Sequence, residues 1–256
     1  ARKQFRERIS SDEGLKLIYS FFKFLGIGAM LATCGIVKTS ANGVSTVHML
    51  MFLMGQMFNE YSIYRMEQLN KLEPGISTSS VSRFLRNPRF HWENLLSLVS
   101  KAVYGFITGL NNKDEKWVFT ADDSDLDRVI RSRHDPICPG KANKKTRKVR
   151  KHKGKRTELV AHKYDHARHV YSNGFRMLVL GLASKQTFIP AGIVLLSSKE
   201  DRVVRGDKDL PDFARDKRSI AYKRRKIARM GTIPALIQMI LRALKHIKSV
   251  NYLCAD

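Results

Sequence analysis

At residue 112 the apolar residues change period, and that change limits the chain to a helical half followed by an α/β half. Before it, Trp92, Leu95, Leu96, Val99, Val103, Phe106 and Leu110 recur at intervals of three and four, the spacing of a long core-facing helix. After it, Lys116-Trp-Val-Phe-Thr-Ala-Asp122 is a short aromatic and β-branched run that ends in carboxylates. Residues 175–183 and 188–196 are nearly continuous apolar runs joined by Ser184-Lys-Gln-Thr187, which predicts a hairpin. Ile233, Leu236, Ile237, Ile240, Leu241, Leu244 and Ile247 then share one face of a helix, with a Thr232 cap and Pro234 tolerated in the first turn. Residues 251–256 read as a fourth strand. The order strand, strand, strand, helix, strand predicts an α/β sheet whose first strand has the hairpin on one side and a crossover strand on the other.

The first half reads as helices throughout. Ser10 and Glu13 stand at capping-box spacing before Leu17, Ile18, Phe21, Phe22 and Leu25, so an amphipathic helix begins near residue 11. Residues 44–58 are rich in Met and Leu. Residues 75–86 place Ser and Thr caps ahead of a short helix with Val81, Phe84 and Leu85 on one side and Arg83 and Arg86 beside them, until Asn87-Pro88 stops it. That short helix resembles the second helix of a helix-turn-helix, whose capped start faces phosphates and bases; an ordinary connecting helix is the alternative. Residues 24–37 are uncharged for 14 positions between Lys23 and Lys38, whereas a bilayer needs about 20, so a buried core helix is expected and no membrane.

Charge decides the class of partner. The 256 residues contain 47 Lys plus Arg against 23 Asp plus Glu, a net +24 that exceeds what solubility requires and implies a polyanion. Residues 141–156 hold ten Lys or Arg and no acid, a block that is either solvated or bound to an anion. As a clamp on DNA beside an active site it would make nonspecific backbone contacts through Lys144, Lys145, Arg147, Lys148, Arg150, Lys151, Lys153, Lys155 and Arg156. Lys223, Arg224, Arg225 and Lys226 form a second cationic cluster, expected on the exposed part of the last helix, with Arg224 and Arg225 as further contacts to DNA. Three widely spaced cysteines, Cys34, Cys138 and Cys254, exclude a disulfide scaffold and fit a reducing cytosol. The chain opens Ala-Arg-Lys, shows no signal peptide and ends in an apolar run, and so reads as a segment of a longer protein.

The chemistry concentrates in Asp122, Asp123, Asp125 and Asp127, four carboxylates within six residues in a chain otherwise short of acids. Such groups repel one another unless cations sit among them, so the cluster invites a hard, oxygen-seeking metal; a polar strand exit with Arg128 as partner is the alternative. If the strands ending at 122 and 256 lie side by side, about 4.8 Å apart, Asp122 and Asp256 point into one crevice at the carboxyl end of the sheet. That arrangement suits two Mg²⁺ ions acting on a phosphodiester. A calcium loop is disfavoured, because the positions after Asp127 lack its Gly and bidentate Glu. His162, His166 and His169 with Cys138 have no tetrahedral zinc spacing.

The stretch Trp117-Val-Phe-Thr-Ala-Asp-Asp-Ser, the basic insertion, residues 161–181, Phe188-Ile-Pro-Ala-Gly-Ile-Val-Leu-Leu-Ser-Ser, Lys217-Arg-Ser-Ile-Ala-Tyr-Lys-Arg-Arg-Lys and Tyr252-Leu-Cys-Ala-Asp together resemble the transposases of bacterial insertion sequences. Within them the chain is most similar to the insertion-sequence-four branch of the DDE group. The resemblance covers roughly 112–256 and implies an incomplete ribonuclease-H-like mixed sheet carrying a basic loop at 131–157, preceded by a helical, DNA end-binding region over 1–111. It also implies Mg²⁺ or Mn²⁺ dependence, double-stranded DNA partners at terminal inverted repeats and target, a homodimer on paired ends, and a place in the cytoplasm at the bacterial nucleoid. The family's first Asp stands two places before Ser or Thr, which selects Asp122 with Ser124 and leaves Asp123 as the register alternative. Its second Asp corresponds to Asp256. Its Glu lies in a Tyr, Arg, Glu pattern that Tyr222 and Arg225 open but Arg229 breaks, so that ligand is expected downstream and the chain as given should not transpose. A noncatalytic DNA-binding regulator or inactive transposase remnant is the competing expectation.

Overall fold

The computed structural model describes residues 12–38, 43–56, 61–110, 116–127, 161–165, 169–185, 187–197, 216–247, 250 and 252–255. In the first half these form α1 (Asp12–Phe24), α2 (Ile27–Thr33), α3 (Thr46–Gly55), α4 (Ile63–Gln68), α5 (Thr78–Leu85) and α6 (Trp92–Leu110). The single core helix expected over 24–37 is instead the end of α1 and a separate α2, bent by 60°. The break falls at Gly26, whose φ of 66° is the left-handed conformation that a side chain disfavours. No single described helix is long and apolar enough to cross a membrane, although Lys16–Phe24 and Ile27–Thr33 together reach that length and apolarity.

Serine caps set three of these helix starts. Ser45, Ser62 and Ser77 accept from the backbone N–H groups of His48, Arg65 and Ser80 respectively. At Ser77 the cap is reciprocal, because the Ser77 N–H donates back to Ser80 Oγ at 2.9 Å. Ser77→Ala should therefore cost about 1 kcal/mol of stability in urea titration, while leaving the helix content of the rest of the chain unchanged. Around these helices Leu25, Ile27, Leu31, Met49, Phe52, Ile76, Val81, Phe84, Phe90 and Leu95 form one buried core. Within it, Phe84, Phe90 and Trp92 meet edge to face with centroids 5.3 to 5.8 Å apart.

The second half is a mixed sheet of β1 (Val118–Asp127), β2 (Ala161–Asp165), β3 (Val170–Ala183), β4 (Phe188–Leu196) and β5 (Leu253–Ala255), with α7 (Ile220–Ala228) and α8 (Thr232–Leu244). The β3–β4 hairpin forms as expected, β1 pairs antiparallel with β3, and β5 pairs parallel with the other edge of β1. Parallel pairing requires the crossover that the apolar helix signal predicted. Three details differ from expectation. The segment around 161–165 is a further strand on β3. The region from 217 to 247 holds two helices, and α8 starts from Gly231 rather than a Thr232 cap. β1 continues through the whole Asp cluster to Asp127, because β3 is 14 residues long and supplies a partner for every rung to Gly174.

The sheet core packs Trp117, Phe119, Ala121, Leu178, Leu180, Leu182, Ile189, Ala191 and Val194 against Ala235, Met239 and Ala243 of α8. Gly192 permits that approach, since a Cβ there would sit 3.1 Å from Met239 Cε. Helix α6 belongs to both cores: Val103 packs against each. Its Ser100 hydroxyl is buried 2.5 Å from the Pro190 carbonyl of β4 and 2.7 Å from the Leu96 carbonyl of its own helix.

Candidate active site

Strand alternation sorts the acidic cluster onto two faces. Trp117, Phe119 and Ala121 are buried against the helices, and Asp123 and Asp125 continue that same face beyond the end of the core. Val118, Thr120, Asp122, Ser124 and Leu126 lie on the other face, where Asp122 and Ser124 are exposed. The choice between Asp122 and Asp123 is thus a choice of sheet face.

Arg176 of β3 stands directly opposite Asp125, and its Nε lies 3.8 Å from Asp125 Oδ1 and 3.7 Å from Asp123 Oδ2. One guanidinium between two carboxylates offsets part of the repulsion within the cluster. Arg176 is absent from the residues that the sequence pattern singles out. It does carry a signal: a lone cation inside the apolar run 175–183 needs an acidic partner on a neighbouring strand.

The last rung described between β1 and β5 pairs Ala121 with Ala255, the residues that immediately precede Asp122 and Asp256 in the chain. Asp256 itself lies outside the described residues. Among the described residues no three His, Cys, Asp or Glu side chains are grouped as a metal ion would need. His169 Nδ1 is 3.3 Å from the Tyr164 hydroxyl, and His166 and Cys138 lie outside the described residues. Cys34 is buried, which pushes its thiol pKa up, and Cys254 is exposed.

Of the cations expected to meet DNA, Lys144, Lys145, Arg147, Lys148, Arg150, Lys151, Lys153, Lys155 and Arg156 lie outside the described residues. The second cluster divides by helical position. Lys223 and Lys226 are exposed, as expected, but Arg225 is buried at 6% exposure and Arg224 is drawn inward. Arg224 Nε donates to Glu93 Oε1 of α6 at 2.5 Å and its Nη2 to the Phe90 carbonyl at 3.3 Å. The expectation of full exposure fails because α7 packs on β4 and reaches Glu93 of α6 through Arg224, so a basic run wrapping the helix must place some of its members inside. The start of α5 is also committed: Glu67 accepts from both the backbone N–H and the hydroxyl of Thr78, so a carboxylate already occupies the positive end of the helix dipole.

Compared with known protein families, with curated proteins and with solved structures, the chain gives no match to any of the three.

Proposed function

We propose that the chain is part of a DDE transposase, a ribonuclease-H-like enzyme that cleaves DNA at the inverted-repeat ends of a mobile element and joins them to target DNA. The observation that carries the reading is the Ala121–Ala255 rung: the parallel neighbour of β1 is described as far as Ala255, which precedes Asp256 in the chain, and Ala121 likewise directly precedes Asp122. An antiparallel hairpin on one edge of β1 and a crossover strand on the other are compatible with such a sheet. The net charge of +24 suits a double-stranded DNA partner.

Asp122 rather than Asp123 is the metal ligand in this reading, because Asp123 shares the Arg176 guanidinium and faces the helical side. The donor chemistry fits a hard cation: Asp122 is an exposed carboxylate beside an exposed Ser124 hydroxyl. Asp122 and Asp256 would hold Mg²⁺ or Mn²⁺, with a further acidic ligand from outside this chain. Bound there, such an ion would supply activation of a hydroxyl nucleophile and offset charge on the leaving oxygen. The protein's share is positioning: Asp122 rides on a strand paired on both sides up to the preceding residue, which holds the carboxylate still relative to a docked phosphodiester. No covalent protein intermediate is required. The enzyme would act in the bacterial nucleoid, as a homodimer on paired ends.

A noncatalytic DNA-binding regulator or an inactive remnant is the second reading, since the described residues bring no third acidic side chain to Asp122. The test is metal-dependent nicking of a duplex carrying the element's own end by the complete protein. Binding without nicking, with Mg²⁺ and with Mn²⁺, selects the second reading.

A further inference from the structure

Helix α7 is held on three sides. Its Ala228 carbonyl accepts from Ser197 N–H at the end of β4 at 2.8 Å, its Ala221 N–H donates to the Pro88 carbonyl after α5 at 3.3 Å, and Arg224 is bound to Glu93 and Phe90. It therefore bridges the helical core and the sheet core. The remaining side faces solvent and carries Lys223 and Lys226, three residues apart and so on one stripe. The Pro88 turn that it touches is flanked by exposed Arg86 and Arg89.

Among the described residues, the nearby acids do not neutralise these four cations. Glu93 is engaged by Arg224 and Asp216 by Arg218. Arg86, Arg89, Lys223 and Lys226 have no carboxylate partner among the described residues. At His91, next to the turn, burial lowers the pKa, Glu93 opposes that shift, and Lys223, Arg242 and Arg224 add to it. A surface of four such cations on a fixed support loses little conformational entropy when it meets a regularly charged rod, unlike lysines on a loose segment.

We propose that α7 and the 86–91 turn form one rigid platform that seats the phosphate backbone of duplex DNA through Arg86, Arg89, Lys223 and Lys226. The platform rests on the DNA reading given above and deepens it, and it is independent of the catalytic assignment. Contact is to phosphates, so it positions the duplex without reading its sequence.

The test is fluorescence anisotropy of the full chain with a labelled duplex over a series of salt concentrations. The combined variant Arg86→Ala, Arg89→Ala, Lys223→Ala and Lys226→Ala should make the slope of log K against log salt shallower by about 3 to 4, roughly 0.9 for each phosphate no longer neutralised, on specific and random duplexes alike. The charge-matched control Lys16→Ala, Lys23→Ala, Lys71→Ala and Lys185→Ala, at exposed cations elsewhere, should change it by less than about 1. Circular dichroism and thermal melting establish that both variants fold. An unchanged slope in the platform variant, or an equal change in the control, overturns the proposal, as does tighter binding of single-stranded RNA through the same four residues. If Asp122→Asn leaves nicking intact while the slope still falls, the platform stands and the catalytic reading fails; absence of any duplex binding removes both.

Discussion

Asp122→Asn is expected to lower Mg²⁺-dependent nicking at the element end by about 10³-fold or more, with duplex binding within about twofold of the parent. In the proposed function Asp122 would be a metal ligand serving the transition state, where each 1.4 kcal/mol corresponds to about one decade in rate, and the expected size follows from its loss. The neighbouring change separates the two faces of β1. Asp123→Asn weakens one interaction with Arg176 but leaves Asp125 in place, and Asp123 is on the helical face, so nicking should fall by less than about tenfold. Measured by single-turnover cleavage of the complete protein, a reversed order of the two variants would move the site to the opposite face of the sheet. Equal activity in all three proteins would remove the cluster from catalysis.

Leu180→Ala is expected to produce the largest loss of stability, about 3 to 5 kcal/mol in urea unfolding. Leu180 has no exposed surface, sits on β3 between β1 and β4, and belongs to the core on which α8 packs. Truncation leaves a cavity where strands on both sides restrict collapse. Ile233→Ala is the matched control. Ile233 is 71% exposed in the first turn of α8, so its truncation should change stability by no more than about 0.5 kcal/mol. If the two substitutions cost the same, the sheet does not pack as described.

The two substitutions fall on features of unequal legibility. The apolar runs at 175–183 and 188–196 had to become buried strands, and the stripe from Trp92 to Leu110 had to become a helix, because burial of each pattern is possible only at its own period. The crossover to β5 was legible for the same reason: an amphipathic helix between two strands permits parallel pairing. The break at Gly26 was less so, since an uncharged run gives no mark of where a helix bends. In the basic run 223–226, composition alone suggested a solvated face, but helical geometry turned Arg225 into the interior and Arg224 onto Glu93.

Local order and charge balance were therefore written into the linear chain: which segments are helices or strands, where the acids cluster, and the net charge of +24. Three-dimensional packing alone decided which aspartates share Arg176, which face Asp122 takes, and which cations of α7 stay outside. The physical reason is range. Periodicity and propensity act between residues a few positions apart, whereas the pairing of Asp123 and Asp125 with Arg176, or of Glu93 with Arg224, joins groups brought together only when β1 meets β3 and α7 meets α6.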